Sequence, residues 1–540
     1  MKKLLVILLV CAMLAGCGVR DTPDGTGTEN IPERTPAPEA AAYESRFSEE
    51  TVIRLSAGTM DVTGANAWSV SLSKDIVYYE DRETYDSGNP YGEGEAWERH
   101  SMDEAQSHLV LNITAPGAYR VSGTWSAGQI RVDLGEEAYD DKTAVVELIL
   151  DGVDITCSVA PAILFQNVYE CDGDWDADSA KADVDTSAAG ANLILAGENS
   201  VTGSHVAKIF KDKDGEKKLW KQDGAIYSYM SMNVFGPGSL ELTADNEGLD
   251  TELHLTVNGG DIAIRSDNDG INTNEDGVSV TTINGGNIRI IAGLGAEGDG
   301  IDSNGYLVIN GGTVISAANP ASDAGLDSDL GSFINGGTVV AMGSSMDWAE
   351  SDSGQVTMNL QFASYQQGAV TITGEDGTEV FAFDPAAVLG EHARRYQGLI
   401  LSFPELTQGK GYHVFVDGVQ MAYTGTDVMG HPGMGGFGGP QPGGDRPELP
   451  EGEMPTMPEG QEPPDGFGNQ RPEGGMPGMP EGEMPTWPDG ERPTMPEGQE
   501  PPGGFGGMGG PGGMPPGGEQ NTVFYMQDKV NFFTGLSVAQ

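Results

Sequence analysis

The chain has 540 residues, with 82 Asp and Glu against 28 Lys and Arg, for a formal net charge of −54. A field of that sign excludes a binder of phosphate backbones, which needs clustered cations. It also repels polyanionic glycans unless divalent cations bridge the two surfaces, so the acid excess points to metal or to solubility.

In chain order, Met1-Lys2-Lys3 precedes an apolar run and then Leu14-Ala15-Gly16-Cys17, a lipobox. The run is too short for a permanent membrane span, so residues 1–17 are expected to be a signal peptide and Cys17 the lipidated new terminus. That places the protein on the extracellular face of the cell membrane; an ordinary signal cleaved elsewhere gives the same compartment. With Cys11 removed and Cys17 lipidated, Cys157 and Cys171 remain, either as one disulfide or as two thiols. Residues 18–49, rich in Pro, Thr, Glu, Gly and Ala, are expected to be a flexible spacer.

Short strands with alternating apolar positions follow, bounded by Gly, Asn or Asp: 144–150, 192–195, 239–243, 262–264, 288–291, 314–316 and 339–341. Helical periodicity is almost absent. Residues 429–519 are built mainly from Gly, Pro, Met and Glu, with Pro-Glu-Gly-Gln-Glu-Pro-Pro at Pro458 and again at Pro496. Such a stretch cannot bury enough apolar area to offset ordering entropy and is expected to be disordered. Residues 520–540 read as strands again, so the low-complexity stretch is an insertion before the last strands of a domain.

Self-similarity decides the fold class. Val257-Asn258-Gly259-Gly260, Ile283-Asn284-Gly285-Gly286, Ile309-Asn310-Gly311-Gly312 and Ile334-Asn335-Gly336-Gly337 recur every 25 or 26 residues, a solenoid or propeller period. Each unit has two or three strands and no helix, which favours a coil of parallel strands over four-stranded blades. The expectation is an all-β chain: a right-handed parallel β-helix over 50–350, then a small β domain over 351–428.

In phase run Glu247-Gly248-Leu249-Asp250, Asp269-Gly270-Ile271-Asn272, Asp299-Gly300-Ile301-Asp302 and Ala324-Gly325-Leu326-Asp327. Stacking would make the Leu and Ile an internal ladder, with Gly at positive-φ corners and Asn or Asp tolerating the left-handed turn. Rungs about 4.8 Å apart would set carboxylates repelling by roughly 0.9 kcal/mol even in water. A bound Ca²⁺ would relieve that repulsion, with Asp250, Asp267, Asp269, Asn272, Asp299, Asp302, Asp323 and Asp327 as candidate ligands. The alternative is that these residues serve turn geometry alone. Asp172, Asp174, Asp176 and Asp178 alternate like a calcium loop but lack its glycine, so a solvated acidic loop is expected there.

These residues together resemble the carbohydrate-binding β-helix proteins of clostridia and relatives, which are like polysaccharide lyases in fold and bind calcium. The resemblance runs from about Val52 to Val416. It rests on Pro116-Gly117-Ala118-Tyr119-Arg120-Val121-Ser122-Gly123, Val146-Glu147-Leu148-Ile149-Leu150-Asp151-Gly152-Val153, Pro161-Ala162-Ile163 and Asp223-Gly224-Ala225-Ile226. Gly236-Pro237-Gly238-Ser239-Leu240, the Asn-Gly-Gly repeats and Leu399-Ile400-Leu401-Ser402-Phe403-Pro404-Glu405-Leu406 with Gly409-Lys410-Gly411-Tyr412 complete it. The chain departs from the pattern in an insertion over Tyr78–Glu98, a loop over Asp172–Asp185 and the Gly/Pro/Met segment. The resemblance implies polysaccharide binding, plant-wall glycans included, with weak or no catalysis.

Three functions follow. The first is a monomeric lipid-anchored protein holding polysaccharide along calcium-stabilised rungs. The second is a weak calcium-dependent pectate-type lyase, which would need a Lys or Arg base. No lysine occurs between Lys221 and Lys410, so Arg265 and Arg289 are the bases the repeats offer, and both read better as outward charges countering acids. The third is an adhesin-like spacer. Sugar binding favours aromatic faces; Tyr227, Tyr229, Tyr306 and Trp348 are the candidates, each with core or rim packing as its alternative.

Overall fold

The structure, a computed structural model, describes residues 43–78, 100–173, 175–211, 218–344, 347–426 and 520–540. Cys17, residues 18–42 of the expected spacer, residues 79–98 of the insertion and the 429–519 segment lie outside the described residues. What is described is all-β: besides isolated turns of 3₁₀ helix, the helices are the short Met102–Ser107 and Pro385–Leu389.

From Gly224 onward each repeat contributes three strands. One repeat supplies Glu247–Thr251, Leu255–Val257 and Asp261–Ser266; the next supplies Ile271–Thr273, Val280–Ile283 and Asn287–Ile291. Two further repeats supply Ile301–Ser303, Tyr306–Ile309 and Thr313–Ala317, then Leu326–Ser328, Gly331–Ile334 and Thr338–Gly343. Corresponding strands pair in parallel from repeat to repeat, giving three stacks. Leu249, Ile271, Ile301 and Leu326 stand in register in the first stack. All are essentially buried, and each stabilises the fold by about 1.5–3 kcal/mol.

The two glycine motifs work differently. In the Asn-Gly-Gly turns the second glycine is left-handed, with φ of 106°, 94°, 82° and 88° at Gly260, Gly286, Gly312 and Gly337. The asparagines do not share that conformation; among the described residues Asp417 is the one non-glycine with positive φ. They instead form an amide ladder. Asn284 Nδ2 donates to Asn258 Oδ1 at 3.0 Å, Asn310 Nδ2 to Asn284 Oδ1 at 2.9 Å, and Asn335 Nδ2 to Asn310 Oδ1 at 2.9 Å. Gly270 and Gly300 of the second motif are needed for space: a Cβ would fall 2.2 Å from Ile290 Cγ2 and 1.8 Å from Ser316 Oγ.

Both ends depart from the parallel pattern expected over 50–350. Glu50–Ser56 pairs antiparallel with Thr59–Gly64, and Val70–Ser73 antiparallel with Leu109–Ile113. At the other end Thr338–Gly343 meets Tyr396–Ser402 antiparallel, so the last parallel edge has a partner. Tyr396–Ser402 also pairs Thr357–Gln366, which takes Val530–Val538 on its other side in parallel. The final strands thus complete the sheet of the β domain, whose own core includes Phe381 stacked on Phe403 at 4.5 Å.

The last residues of the expected spacer are packed. Tyr43 lies 4.6 Å from Phe235 between ring centroids, and Phe47 covers Ala118, Ile149 and Ile194. Ser45 Oγ and Arg46 N donate to the fully buried Glu147 carboxylate at 2.5 and 2.8 Å. Residues 43–47 are held because two aromatics and a buried acid's donors lie within five residues, against which spacer composition carries little weight.

Candidate functional site

In a strand, neighbours of inward residues point outward. Register therefore files Tyr227, Asp250, Asn272, Asp302 and Asp327 on the outside of the first stack. Asp250 is nevertheless completely buried, as are Glu247, Asn272 and Asn274 nearly so. Asn274 Nδ2 donates to Asp250 Oδ1 at 2.6 Å. Glu247 Oε2, Asp250 Oδ2 and Asn272 Oδ1 are buried with no partner beyond one another's side chains, a costly state once both acids are ionised.

At the preceding corners Asp269, Asp299 and Asp323 spend part of their capacity on the turns. Asp299 N donates to Asp269 Oδ1 at 2.6 Å, Ala324 N to Asp299 Oδ1 at 2.5 Å, and Gly298 N to Asp323 Oδ2 at 2.8 Å. Asp267 is exposed, and its carboxyl feels Asp245 rather than the file. Turn geometry thus accounts for part of the acidic pattern, and the buried oxygens of Glu247, Asp250 and Asn272 mark the part it leaves over. Among the described residues no three His, Cys, Asp or Glu side chains converge to hold a metal ion by themselves. The eight candidates form a file and not a cage.

Burial, with neighbouring carboxylates second, pushes these acids up. Asp250 and Asp269 lie well above the carboxylate range. Asp299 is raised to about 8 and Asp302 to about 7, in both cases chiefly by burial, with Asp327 adding repulsion. One cation reaches the file. Lys221 Nζ lies 2.8 Å from Asn274 Oδ1 and 2.9 Å from Asp223 Oδ2. Burial opposes its charge, yet Asp223, Glu247 and Asp250 hold the ammonium protonated above its ordinary range. Sequence reasoning set Lys221 outside the repeats; its signal was Gln222-Asp223-Gly224, leading straight into the strand that stacks on Glu247–Thr251.

A family model described as a carbohydrate-binding domain-containing protein matches residues 107–379, just over half of the chain. The chain belongs to this carbohydrate-binding domain family. A protein of the same description from Acetivibrio thermocellus is 32% identical over 161 residues, 30% of this chain. The match spans 46% of that relative's length. A solved structure of a polysaccharide lyase-like protein from C. thermocellum, a gadolinium derivative, is 23% identical; the match covers 54% of this chain and 92% of that one, with a TM-score of 0.30.

Within the carbohydrate-binding domain the expected sugar platforms are mostly occupied by protein. Tyr227 is fully buried and donates its hydroxyl to Glu252; it follows the inward Ile226 in register but is covered by neighbours that periodicity does not reveal. Tyr229 stands edge-on to it at 5.1 Å and accepts from Gln222 Nε2 at 3.1 Å. Tyr306 leans on Phe333 at 6.1 Å, and Trp348 on Phe532 at 5.3 Å. The exposed aromatics among the described residues are instead Trp68, Trp175 and Tyr525. Cys157 and Cys171 are free thiols, with Cys157 buried.

Proposed function

We propose that the protein is a monomeric cell-surface lipoprotein, anchored through Cys17, that binds polysaccharide without catalysis on a calcium-stabilised, right-handed parallel β-helix. Membership of a carbohydrate-binding domain family carries the sugar-binding part of this reading. Three parallel strand stacks filled in chain order support the helix, and right-handedness follows from the rule for parallel crossovers. The lipobox motif supports the anchor.

Calcium rests on the buried oxygens of Glu247, Asp250 and Asn272, which have no partner beyond one another's side chains. They form an oxygen-only donor set of the kind a hard, geometrically tolerant cation accepts. Bound there, the ion would add positive charge to a file whose acids outnumber the single ammonium of Lys221, with Asp302 and Asp327 next in register. The chain's own part is to hold two of these oxygens on one rung and the third on the next, shielded from water.

A pectate-type lyase gains one observation, the ammonium of Lys221 at the acidic file. An amine kept protonated by three acids is a poor acceptor for a substrate proton. Arg265 pairs with Glu241 at 3.4 Å on a different stack. A polysaccharide array probed with and without chelator tests the binding reading, and polygalacturonate with added Ca²⁺ tests catalysis. Binding to one glycan class with no unsaturated product is expected. An empty array would overturn the binding reading, and ultraviolet-absorbing product lost in Lys221→Met would establish the lyase.

A further inference from the structure

Trp175 is the one exposed aromatic whose orientation is fixed from within the loop that departs from the family pattern. Its side is 43% exposed, yet its indole Nε1 donates to Tyr139 Oη at 2.8 Å. Tyr139 is itself anchored: it packs partly buried against the main core, and its carbonyl accepts from Glu170 N at 3.1 Å. The fit around the pair is close, since a Cβ on Gly173 would stand 3.0 Å from Tyr139 Oη. The loop is braced beyond the ring by Ser179, whose N and Oγ both donate to Asp176 O at 2.9 and 2.8 Å. An indole on a mobile surface loop would pay an ordering cost on binding; this one is already held.

Carboxylates lie near its Tyr139 partner. Asp140, Glu170 and Asp172 all lie near enough to Tyr139 to act on its hydroxyl, which burial chiefly, and these acids in addition, hold above the usual phenol range. Asp172 N donates to Glu170 Oε1 at 2.9 Å, so this edge of the loop is tied down as well. An exposed, fixed aromatic face suits a ligand with an apolar C–H face. The same acids, in a chain of net charge −54, repel a uronate.

We propose that Trp175, positioned by Tyr139, is a stacking subsite for a neutral pyranose ring. The proposal rests on the carbohydrate-binding reading and locates where that reading acts. It places the sugar on the loop between Asp172 and Asp185, away from the aromatics that periodicity suggested.

Titration calorimetry with cellohexaose, xylohexaose and trigalacturonate tests it on the full chain, alongside the polysaccharide array. At least one neutral hexasaccharide should bind and trigalacturonate should not. Trp175→Ala should weaken binding tenfold or more, and Tyr139→Phe several-fold by freeing the indole. Trp68→Ala, at a more exposed tryptophan elsewhere, should leave binding unchanged. Because Trp175 is exposed, its replacement should leave the thermal midpoint where it was. Wild-type affinity retained in Trp175→Ala would overturn the subsite while the carbohydrate-binding reading stood. Preference for trigalacturonate would overturn the neutral ligand class. A protein that bound nothing, on the array or in the calorimeter, would overturn both.

Discussion

Asp299 and Asp302 sit where their proton affinity is most useful as a readout. Their folded values, about 8 and about 7, lie above the ordinary carboxylate value near 4 that the unfolded chain would show. The native state therefore binds more protons than the unfolded state between those limits, and stability falls as pH rises. In chelator the thermal midpoint should decline as pH rises above about 5, most steeply between pH 5 and 7, and should level off above pH 8. Added Ca²⁺ should flatten that decline, because metal binding takes up the same oxygens deprotonated. Asp302→Asn should raise the chelated midpoint at pH 8 and reduce the Ca²⁺-induced gain; a mutant whose calcium response matched wild type would remove Asp302 from the donor set. The file itself was legible from spacing, because Asp250, Asn272, Asp302 and Asp327 follow a period that register preserves. Lys221 was not, because the Gln222-Asp223-Gly224 lead-in shows its place at the file only once the pairing of the following strand with Glu247–Thr251 is known.

At the scale of elements, the strap of residues 43–47 and the strand Val146–Thr156 are joined through Glu147. A buried carboxylate that loses a donor keeps its desolvation penalty, so Ser45→Ala should cost about 1–3 kcal/mol in denaturant unfolding. With Glu147→Leu in the background the same substitution should cost much less, a coupling that a double-mutant cycle measures directly. Equal costs in the two backgrounds would mean the strap is held by Tyr43 and Phe47 alone. Strands of the repeats were readable to within a residue or two, as with 239–243 against the observed Ser239–Ala244, because alternation and glycine turns bracket them. The antiparallel ends were not readable. Pairing direction at an edge depends on which segment arrives to cover it, and Glu50–Ser56 alternates like any other strand.

Across the molecule, stacked repeats transmit a local change to their neighbours, since each buries what the next exposes. A cation bound only by the native state stabilises by about 2.7 kcal/mol per site at a hundredfold excess over Kd. That is a few degrees of melting temperature in a fold of this size. Chelator should lower the midpoint, Ca²⁺ should restore it, and Mg²⁺ should do so poorly; a midpoint indifferent to all three would leave the acidic file as turn chemistry. The all-β character was legible because short alternating strands are bracketed by glycine turns, with a backbone requirement at Gly260 and its counterparts. The sugar platforms were not, since whether a tyrosine is covered, as Tyr227 is, depends on neighbours such as Glu252 arriving from the adjacent turn.

The amide ladder also sets how the protein ages. Asn-Gly is the pair most prone to spontaneous deamidation, and Asn258, Asn284, Asn310 and Asn335 all precede glycine. Every bond in the ladder runs one way: the higher residue donates and the lower accepts. Conversion of Asn284, Asn310 or Asn335 to Asp deletes a donor and sets a carboxylate against the acceptor oxygen below. Asn258 only accepts within the ladder, and a carboxylate accepts as well as an amide does. Peptide mass spectrometry of protein stored at mildly alkaline pH should therefore find Asp first at position 258, with the three rungs above protected for as long as the repeats stay stacked.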